Sequence, residues 1–189
     1  DIFKLVFPLP EAKIVKREPQ YNSLFRTRYY SKESASAEAK AFFFRYFGAK
    51  DFVVAIHPGC TAKNKYRRWD LEYFMELVRL LNKDFPKWKF YVIAGPDELE
   101  EGRALSRRLS APILSGVSLD VVYETLKISS MIINTDSGIG HIASCHHLPS
   151  FVIFGPGDER QTAPFNPKAI TIRSDTPCAP CVQNRTKSA

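Results

Sequence analysis

The sequence contains little that would place the chain in a membrane or cross-link it covalently. No run in its 189 residues approaches the roughly 20 consecutive apolar residues of a membrane-spanning helix. No secretory signal pattern opens the chain, and its four cysteines are too few for a disulfide framework. These absences predict a reducing, cytoplasmic setting. The apolar fraction of 44% is that of an ordinary globular protein.

The net charge of +7 is concentrated outside the middle of the chain. Residues 1–50 carry ten Lys or Arg against five Asp or Glu, residues 51–150 twelve against twelve, and residues 151–189 five against three. A duplex-binding domain usually concentrates its basic excess on the folded body, so this distribution argues against a nucleic-acid partner. An anionic membrane surface or an acidic acceptor beside the basic flank fits the distribution better.

Strand-like and helix-like segments alternate along the chain. Short β-branched apolar runs predict buried strands, and apolar residues at helical spacing predict the helices between them. The predicted strands are 51–57, 88–95, 112–116, 130–135, 150–155 and 169–174. The predicted helices are 34–48, 69–85, 96–109, 119–129 (capped by Ser118) and 137–147. This alternation predicts an α/β fold with a parallel sheet covered by helices on both faces.

The division of the chain follows from the same pattern. Residues 1–50 are expected to be a connecting segment and a helix, residues 51–173 a ligand-binding domain, and residues 174–189 a tail that carries Cys178 and Cys181 in "CAPC". Because the chain begins at Asp1 without a Met, we expect it to be a piece of a longer protein.

The stretch "NTDSGIGHIAS" (134–144) is the first candidate binding loop. It turns from a strand into a helix at the sheet edge where parallel α/β proteins bind ligands. Glycines there let a phosphate approach free backbone N–H groups. Asp136 would repel a phosphate, so we predict it as the helix N-cap, or otherwise as an acceptor for a sugar hydroxyl. His141 could donate to a phosphate or to a leaving oxygen.

Two further loops leave the same predicted edge. "HPGCTAKNKYRR" (57–68) carries Lys63, Lys65, Arg67 and Arg68 with no acid. Two anion-binding features beside one crevice suggest a diphosphate, although a solvated basic loop is the alternative. "AGPDELEE" (94–101) offers acids for ribose hydroxyls, or only a favourable acidic first turn of a helix.

Two other interpretations of these residues stay open. Gly138, Gly140 and Ala143 fit the dinucleotide pattern G-x-G-x-x-A, with Asp158 and Glu159 downstream, but that fingerprint normally opens its domain. His141 and Cys145 could share one helix face toward zinc, yet the second half of a tetrahedral site is not evident. We therefore predict no metal site.

The order of the blocks carries a family resemblance. Five blocks follow one another over residues 51–181: "HPG…RRW…F", "AGPDELEE", "VSL", "NTDSGIGHIAS…P…VIFGPGD" and "C-x-P-C". In this order they resemble the C-terminal domain of glycosyltransferase family 9. Its members are the ADP-heptose:lipopolysaccharide heptosyltransferases of Gram-negative bacteria. The resemblance implies a Rossmann-like domain that forms the C-terminal, donor-binding half of a GT-B fold. It also implies a metal-independent, inverting transfer of a heptose or related sugar from an ADP-sugar to a lipopolysaccharide core acceptor, without a cofactor.

The resemblance implies roles for individual residues. The residues implied to line the diphosphate, mostly through their backbone, are Gly59, Cys60 and Thr61 on one side and Ser137, Gly138, Ile139 and Gly140 on the other. Arg67 stands where the family usually has a phosphate-contacting Lys. The ribose-holding acid falls at Glu100 or Glu101, and Val117 lies against the adenine with Ser118 and Leu119 beside it. Asp136 and His141 face the sugar–phosphate end, where they and Arg67 act on the leaving group.

The chain also departs from the family pattern. Gly157 replaces the usual Thr or Ser after "GP", and the usual further cysteine after C-x-P-C is absent. The acceptor-binding N-terminal domain and its catalytic aspartate lie outside this sequence, so the chain alone is expected to transfer nothing. The implied partners are the nucleotide sugar, a lipid-linked saccharide bound by the missing domain, and the cytoplasmic face of the inner membrane. Another GT-B nucleotide-sugar enzyme, a nicotinamide-dependent oxidoreductase and a non-catalytic binding domain remain alternatives.

Overall fold

A seven-stranded sheet forms the centre of the protein in the computed structural model, which describes residues 12–15, 28–174 and 176–180. Its strands are β1 (Ala12–Val15), β2 (Val53–His57), β3 (Lys89–Ala94), β4 (Ile113–Ser115), β5 (Met131–Thr135), β6 (Ser150–Phe154) and β7 (Ala169–Ser174). Their order is β1-β7-β6-β5-β2-β3-β4. From β2 to β7 all neighbours are parallel, and β1 is antiparallel to β7.

The helices connect these strands and cover the sheet. They are α1 (Glu33–Tyr46), α2 (Leu71–Asp84), α3 (Leu99–Leu109), α4 (Leu119–Lys127), α5 (Gly138–Ser144) and α6 (Glu159–Thr162). Two 3₁₀ segments, Ala62–Arg67 and Pro96–Glu98, lie in the loops after β2 and β3. No helix within the described ranges combines the length and the apolar character that crossing a membrane requires.

The sheet separates two apolar layers because successive side chains of a strand point to opposite faces. Val53 and Ala55 of β2 belong to the layer that contains α1, α4 and α5 residues. Val54 and Ile56 belong to the layer formed with α2 and α3, where Phe74 is fully buried. Both faces of the sheet are thus covered, which explains why its strands are continuous apolar runs. The predicted α/β fold with a parallel sheet is confirmed.

Three local features differ from the sequence prediction. β1 and α6 were not predicted, because β1 is a four-residue edge strand and α6 a single helical turn. The predicted helix 96–109 begins instead with the 3₁₀ turn, and α3 proper starts at Leu99. α1 corresponds to the predicted helix 34–48, and its Ala35, Ala39 and Phe43 are buried in the core.

The strand order places a crevice at one point of the sheet. β2 pairs with both β3 and β5, so the chain proceeds toward β4 on one side of β2 and toward β7 on the other. In parallel sheets, ligands bind outside the carboxyl ends of the strands at such a switch point. The loops after β2, β3 and β5 meet there.

Candidate functional site

A cavity of about 810 Å³ lies at the carboxyl ends of β2, β3, β4 and β5. Its apolar lining residues, here called the apolar wall, are Ile93, Leu114, Val117, Leu119, Val122, Ile139 and Ile142. Its polar lining includes His57, Cys60 and Thr61 after β2, residues 95–98 after β3, and Ser137 and Gly138 after β5. The cavity therefore combines apolar surface that suits a flat ring with backbone and hydroxyl donors.

Half of the sequence-predicted site residues line this cavity. These residues are Cys60, Thr61, Val117, Leu119, Ser137, Gly138 and Ile139. At Gly138 no atom lies within 4 Å of the position that a Cβ would occupy, so the backbone there is open to a ligand. The Ser137 hydroxyl is buried and has no hydrogen-bond partner among the described residues. An unsatisfied buried hydroxyl is costly, and a bound acceptor would satisfy it.

Three predicted residues shape the cavity without lining it. A Cβ on Gly59 would lie only 2.2 Å from Cγ of Glu98, and one on Gly140 would lie 2.7 Å from Nδ2 of Asn134. Both glycines are thus required by close packing of neighbouring side chains. Ser118 caps α4, where its hydroxyl accepts a hydrogen bond from the Val121 N–H at 3.4 Å. The predicted cap is confirmed, and the Ser118 hydroxyl is engaged by it.

Asp136 has a different partner from the one predicted. Ser137, not Asp136, is the N-cap of α5, and neither residue's side chain caps the helix. Oδ2 of Asp136 instead lies 3.1 Å from Nη1 of Arg67. The Asp136 side chain is only 5% exposed, and burial raises its pKa while Arg67 and then His141 oppose that rise. The prediction of an N-cap is wrong, because a buried carboxylate gains more from a cation than from an exposed helix end.

Arg67 is held beside Asp136 by this ion pair. Its side chain is 18% exposed, and Asp136 immediately precedes the cavity-lining Ser137. The three residues predicted to act on the leaving group, Arg67, Asp136 and His141, do not line the cavity themselves. Arg67 pairs with Asp136, and His141 lies close enough to oppose the rise in that carboxyl's pKa.

The other arginine of the basic loop has a structural role. Arg68 forms an ion pair with Glu101 and donates hydrogen bonds to the backbone carbonyls of Cys60 at 2.8 Å and Asp97 at 3.0 Å. It ties the loop after β2 to the loop after β3. The Glu101 carboxylate is therefore paired with Arg68. Glu100 is exposed and does not line the cavity. Neither predicted ribose acid is brought to the site.

Glu98 is the acid of this segment that lines the cavity. It is 6% exposed, and its Oε1 accepts a hydrogen bond from the Gly95 N–H at 2.8 Å. Burial raises the pKa of its carboxyl above the ordinary value. The assignment of Glu100 came from the family resemblance, which does not show that the segment begins with a 3₁₀ turn from Pro96 to Glu98.

His57 is a second cavity residue that the sequence pattern missed. It ends β2, lines the cavity at 2% exposure, and its Nε2 lies 3.8 Å from Oε1 of Glu98. Burial lowers its pKa to about 4, so the ring is neutral near pH 7. Its place at the carboxyl end of a central strand was the available signal.

The acids of the nicotinamide interpretation are engaged elsewhere. Asp158 caps α6 and forms an ion pair with Arg160 at 2.9 Å. Glu159 forms an ion pair with Arg173 at 3.2 Å. Both acids are buried, and neither lines the cavity. These contacts remove the feature that made the G-x-G-x-x-A stretch resemble a dinucleotide fingerprint.

The structure offers little to a metal ion. Within the described ranges, no three His, Cys, Asp or Glu side chains are grouped as ligands would be. Cys145 Sγ lies 3.6 Å from the His141 carbonyl oxygen, and Cys178 is exposed. Cys181 lies outside the described residues, so the state of the "CAPC" pair stays open.

Comparisons with known proteins agree on one family. The family model for glycosyltransferase family 9 (heptosyltransferase) matches residues 16–189. Lipopolysaccharide heptosyltransferase 1 of Pseudomonas aeruginosa is 25% identical over 132 residues, which are 70% of this chain and 36% of that protein. A family 9 glycosyltransferase structure from Veillonella parvula has a TM-score of 0.71 at 18% identity, covering 79% of this chain and 43% of that one. The E. coli heptosyltransferase WaaC with ADP has a TM-score of 0.61 at 19% identity, covering 82% and 46%.

The structural likeness confirms that this α/β unit has the fold found in GT-B glycosyltransferases. The chain spans less than half the length of each of these relatives. With a family model matched over most of its length, the chain belongs to glycosyltransferase family 9.

Proposed function

We propose that the chain binds the ADP-sugar donor of a heptosyltransferase, which transfers a heptose or related sugar to a lipopolysaccharide core acceptor. The acceptor, a lipid-linked saccharide, would be bound by another part of the whole protein. The reaction would take place at the cytoplasmic face of the inner membrane, with inversion at the anomeric carbon and without a metal ion. The cavity at the switch point of the sheet is the observation that carries the proposal.

The cavity suits a nucleoside diphosphate in size and in polarity. Its volume of about 810 Å³ falls within the range of roughly 300–1,000 Å³ that is usual for small-molecule sites. The adenine would lie against the apolar wall near Val117 and Leu119. The diphosphate would lie between Cys60–Thr61 and Ser137–Gly138. There its oxygens could accept hydrogen bonds from the open backbone at Gly138 and from the unpaired Ser137 hydroxyl. One solved neighbour, the E. coli heptosyltransferase WaaC, is itself described with ADP.

Glu98 takes over the role first assigned to Glu100. It lines the same cavity as Val117 and Ser137, whereas Glu100 does not line it. Its Oε1 is held by the Gly95 N–H, which fixes the carboxylate without using Oε2. A carboxylate accepts hydrogen bonds only, so it pairs with the hydroxyl donors of a ribose.

The chemistry of the donor half would be stabilisation of the leaving group. As the sugar departs, negative charge grows on the ADP diphosphate, and fixed N–H and hydroxyl dipoles stabilise that charge most. Ser137 and Gly138 would provide such dipoles, and the Arg67–Asp136 pair behind them holds a guanidinium at the same end. Loss of one such donor typically reduces the rate by roughly 100- to 1,000-fold.

A nucleotide panel tests the proposal on this chain directly. Thermal unfolding would be measured with ADP, UDP, GDP and CDP, and a ligand at 100 times its Kd stabilises a protein by about 2.7 kcal/mol. We expect ADP to raise Tm most, by roughly 5–10 °C in a domain of this size. Equal shifts with all four nucleotides, or no shift with ADP, would contradict an ADP-sugar site.

Two substitutions in neighbouring positions locate the ribose acid. Glu98→Gln changes the cavity-lining acid, and Glu100→Gln makes the same chemical change on an exposed residue of the same segment. We expect Glu98→Gln to weaken ADP binding and Glu100→Gln to leave it unchanged. The reverse result would restore the assignment made from the sequence.

A further inference from the structure

His57 is a buried histidine whose two ring nitrogens have different surroundings. Nδ1 lies 3.1 Å from the carbonyl oxygen of Ile93. A carbonyl can only accept, so Nδ1 carries the ring proton and donates it. In the neutral ring, Nε2 is then a hydrogen-bond acceptor. Burial keeps the ring neutral, because it lowers the pKa of His57 to about 4.

Nε2 has no donor among the described residues. It lies 3.8 Å from Oε1 of Glu98, which is too long for a hydrogen bond in either protonation state of the carboxyl. Oε1 itself accepts the Gly95 N–H. Nε2 of His57 and Oε1 of Glu98 therefore face each other across a gap, and both belong to residues that line the cavity.

A ligand that satisfies both atoms must offer two adjacent donors. A nucleotide has such a pair in its ribose, whose 2′- and 3′-hydroxyls lie side by side. The location agrees, because His57 and Glu98 line the same cavity as Val117, Ser137 and Gly138. Gly59 keeps the arrangement compact, since a Cβ there would overlap Cγ of Glu98.

We propose that Nε2 of His57 accepts a hydrogen bond from a ribose hydroxyl of the bound nucleotide, beside the hydroxyl held by Glu98. His57 would thus be a specificity-determining residue that distinguishes a ribonucleotide from its deoxy analogues. This inference rests on the proposed nucleotide-binding function and adds a residue that the sequence pattern did not single out.

The test compares ADP with 2′-deoxy-ADP and 3′-deoxy-ADP by calorimetry on the 189-residue chain. A single neutral hydrogen bond corresponds to about threefold to tenfold in Kd. We expect both analogues to bind more weakly than ADP, and His57→Phe to remove the discrimination against one of them while the discrimination against the other, whose hydroxyl Glu98 holds, remains. His146→Phe is the matched control, because that ring packs against Tyr123 and does not line the cavity. Unfolding curves of both variants would verify that they fold.

A measurement on the unmutated chain keeps the test independent of folding. The ¹⁵N resonance of His57 Nε2 reports directly on hydrogen bonding to its lone pair, and we expect ADP to shift it. An unmoved resonance, or discrimination against both analogues that survives in His57→Phe, would overturn the role of His57. ADP binding without any discrimination would also overturn it while leaving the proposed function intact. Failure of ADP to bind at all would instead remove the proposed function, and this inference with it.

Discussion

Removal of Arg67 should destabilise the folded protein as well as impair any catalysis. Asp136 is 4% exposed, and burial raises the pKa of its carboxyl even with Arg67 at 3.1 Å. Arg67→Ala would leave that carboxylate buried beside no cation of comparable proximity. Breaking a buried ion pair from one side costs about 3–5 kcal/mol. Since Arg67 keeps 18% of its side chain exposed, we expect the lower end, about 3 kcal/mol, or a fall in Tm of roughly 6–12 °C.

A double-mutant cycle separates the lost pair from the lost side chain. Asp136→Asn removes the charge and nearly keeps the shape, so Arg67→Ala/Asp136→Asn should be more stable than Arg67→Ala alone. Urea unfolding of the four proteins gives the coupling energy, which we expect to be about 1–3 kcal/mol. Additive effects within about 0.5 kcal/mol would refute the view that Arg67 stabilises a buried charge.

The pH dependence of Arg67→Ala supplies a second check. Without Arg67, the folded-state pKa of Asp136 rises further above its unfolded value. When the pKa of an acid is higher in the folded than in the unfolded protein, its contribution to the free energy of unfolding is fully present below the unfolded-state pKa. That contribution is lost as the pH rises through the folded-state pKa. The stability gap between the variant and the wild type should therefore be small near pH 4 and grow toward pH 7. A gap independent of pH would contradict this account.

Three further predictions follow from single contacts. Gly157→Ala would place a Cβ 2.6 Å from Oδ2 of Asp136, so urea unfolding should show a loss of about 1–3 kcal/mol that Asp136→Ala partly relieves. Burial lowers the pKa of His57 from 6.5 to about 4, so its contribution to stability is present above pH 6.5 and is lost as the pH falls toward 4. Melting temperatures measured through that range should fall more steeply in the wild type than in His57→Phe. Ser118→Ala removes the cap of α4, whose hydrogen bond is long at 3.4 Å. Thermal unfolding should show a loss of about 0.5 kcal/mol in the free energy of unfolding. Ser118→Asp should keep the wild-type stability, because Asp is also a good N-cap residue.

The sheet was predictable because its signal is local. Strands such as "VVAIH" and "MIINT" are buried on both faces, so each is a continuous apolar run that needs no knowledge of its neighbours. α2 was equally clear, since Phe74, Leu77, Val78 and Leu81 recur at helical spacing and are all buried. β1 has no such signal, because a four-residue edge strand gains its pairing only from β7, far along the chain.

The site was predictable only in part because its details depend on long-range contacts. The switch-point rule located the loops, and Cys60, Thr61, Ser137 and Gly138 do line the cavity. Arg67, the ion-pair partner of Asp136, lies in a different loop, after β2. The periodicity of the sequence does not predict contacts between two loops. Glu98 lines the cavity and Glu100 does not, and a family resemblance carries no information on which acid of that segment faces inward. The roles of these residues in binding remain predictions.

The close approach of Gly59 to Glu98 has a consequence for how this family can vary. A Cβ at residue 59 would overlap Cγ of Glu98 by far more than packing tolerates, although the two belong to different loops. A residue without a Cβ at position 59 is therefore required for a side chain as long as that of Glu98. Among relatives, a larger residue at the first position should accompany a shorter one at the second. The two positions should vary as a correlated pair, so a glutamate introduced at the second position of a relative without the matching glycine should fail to pack.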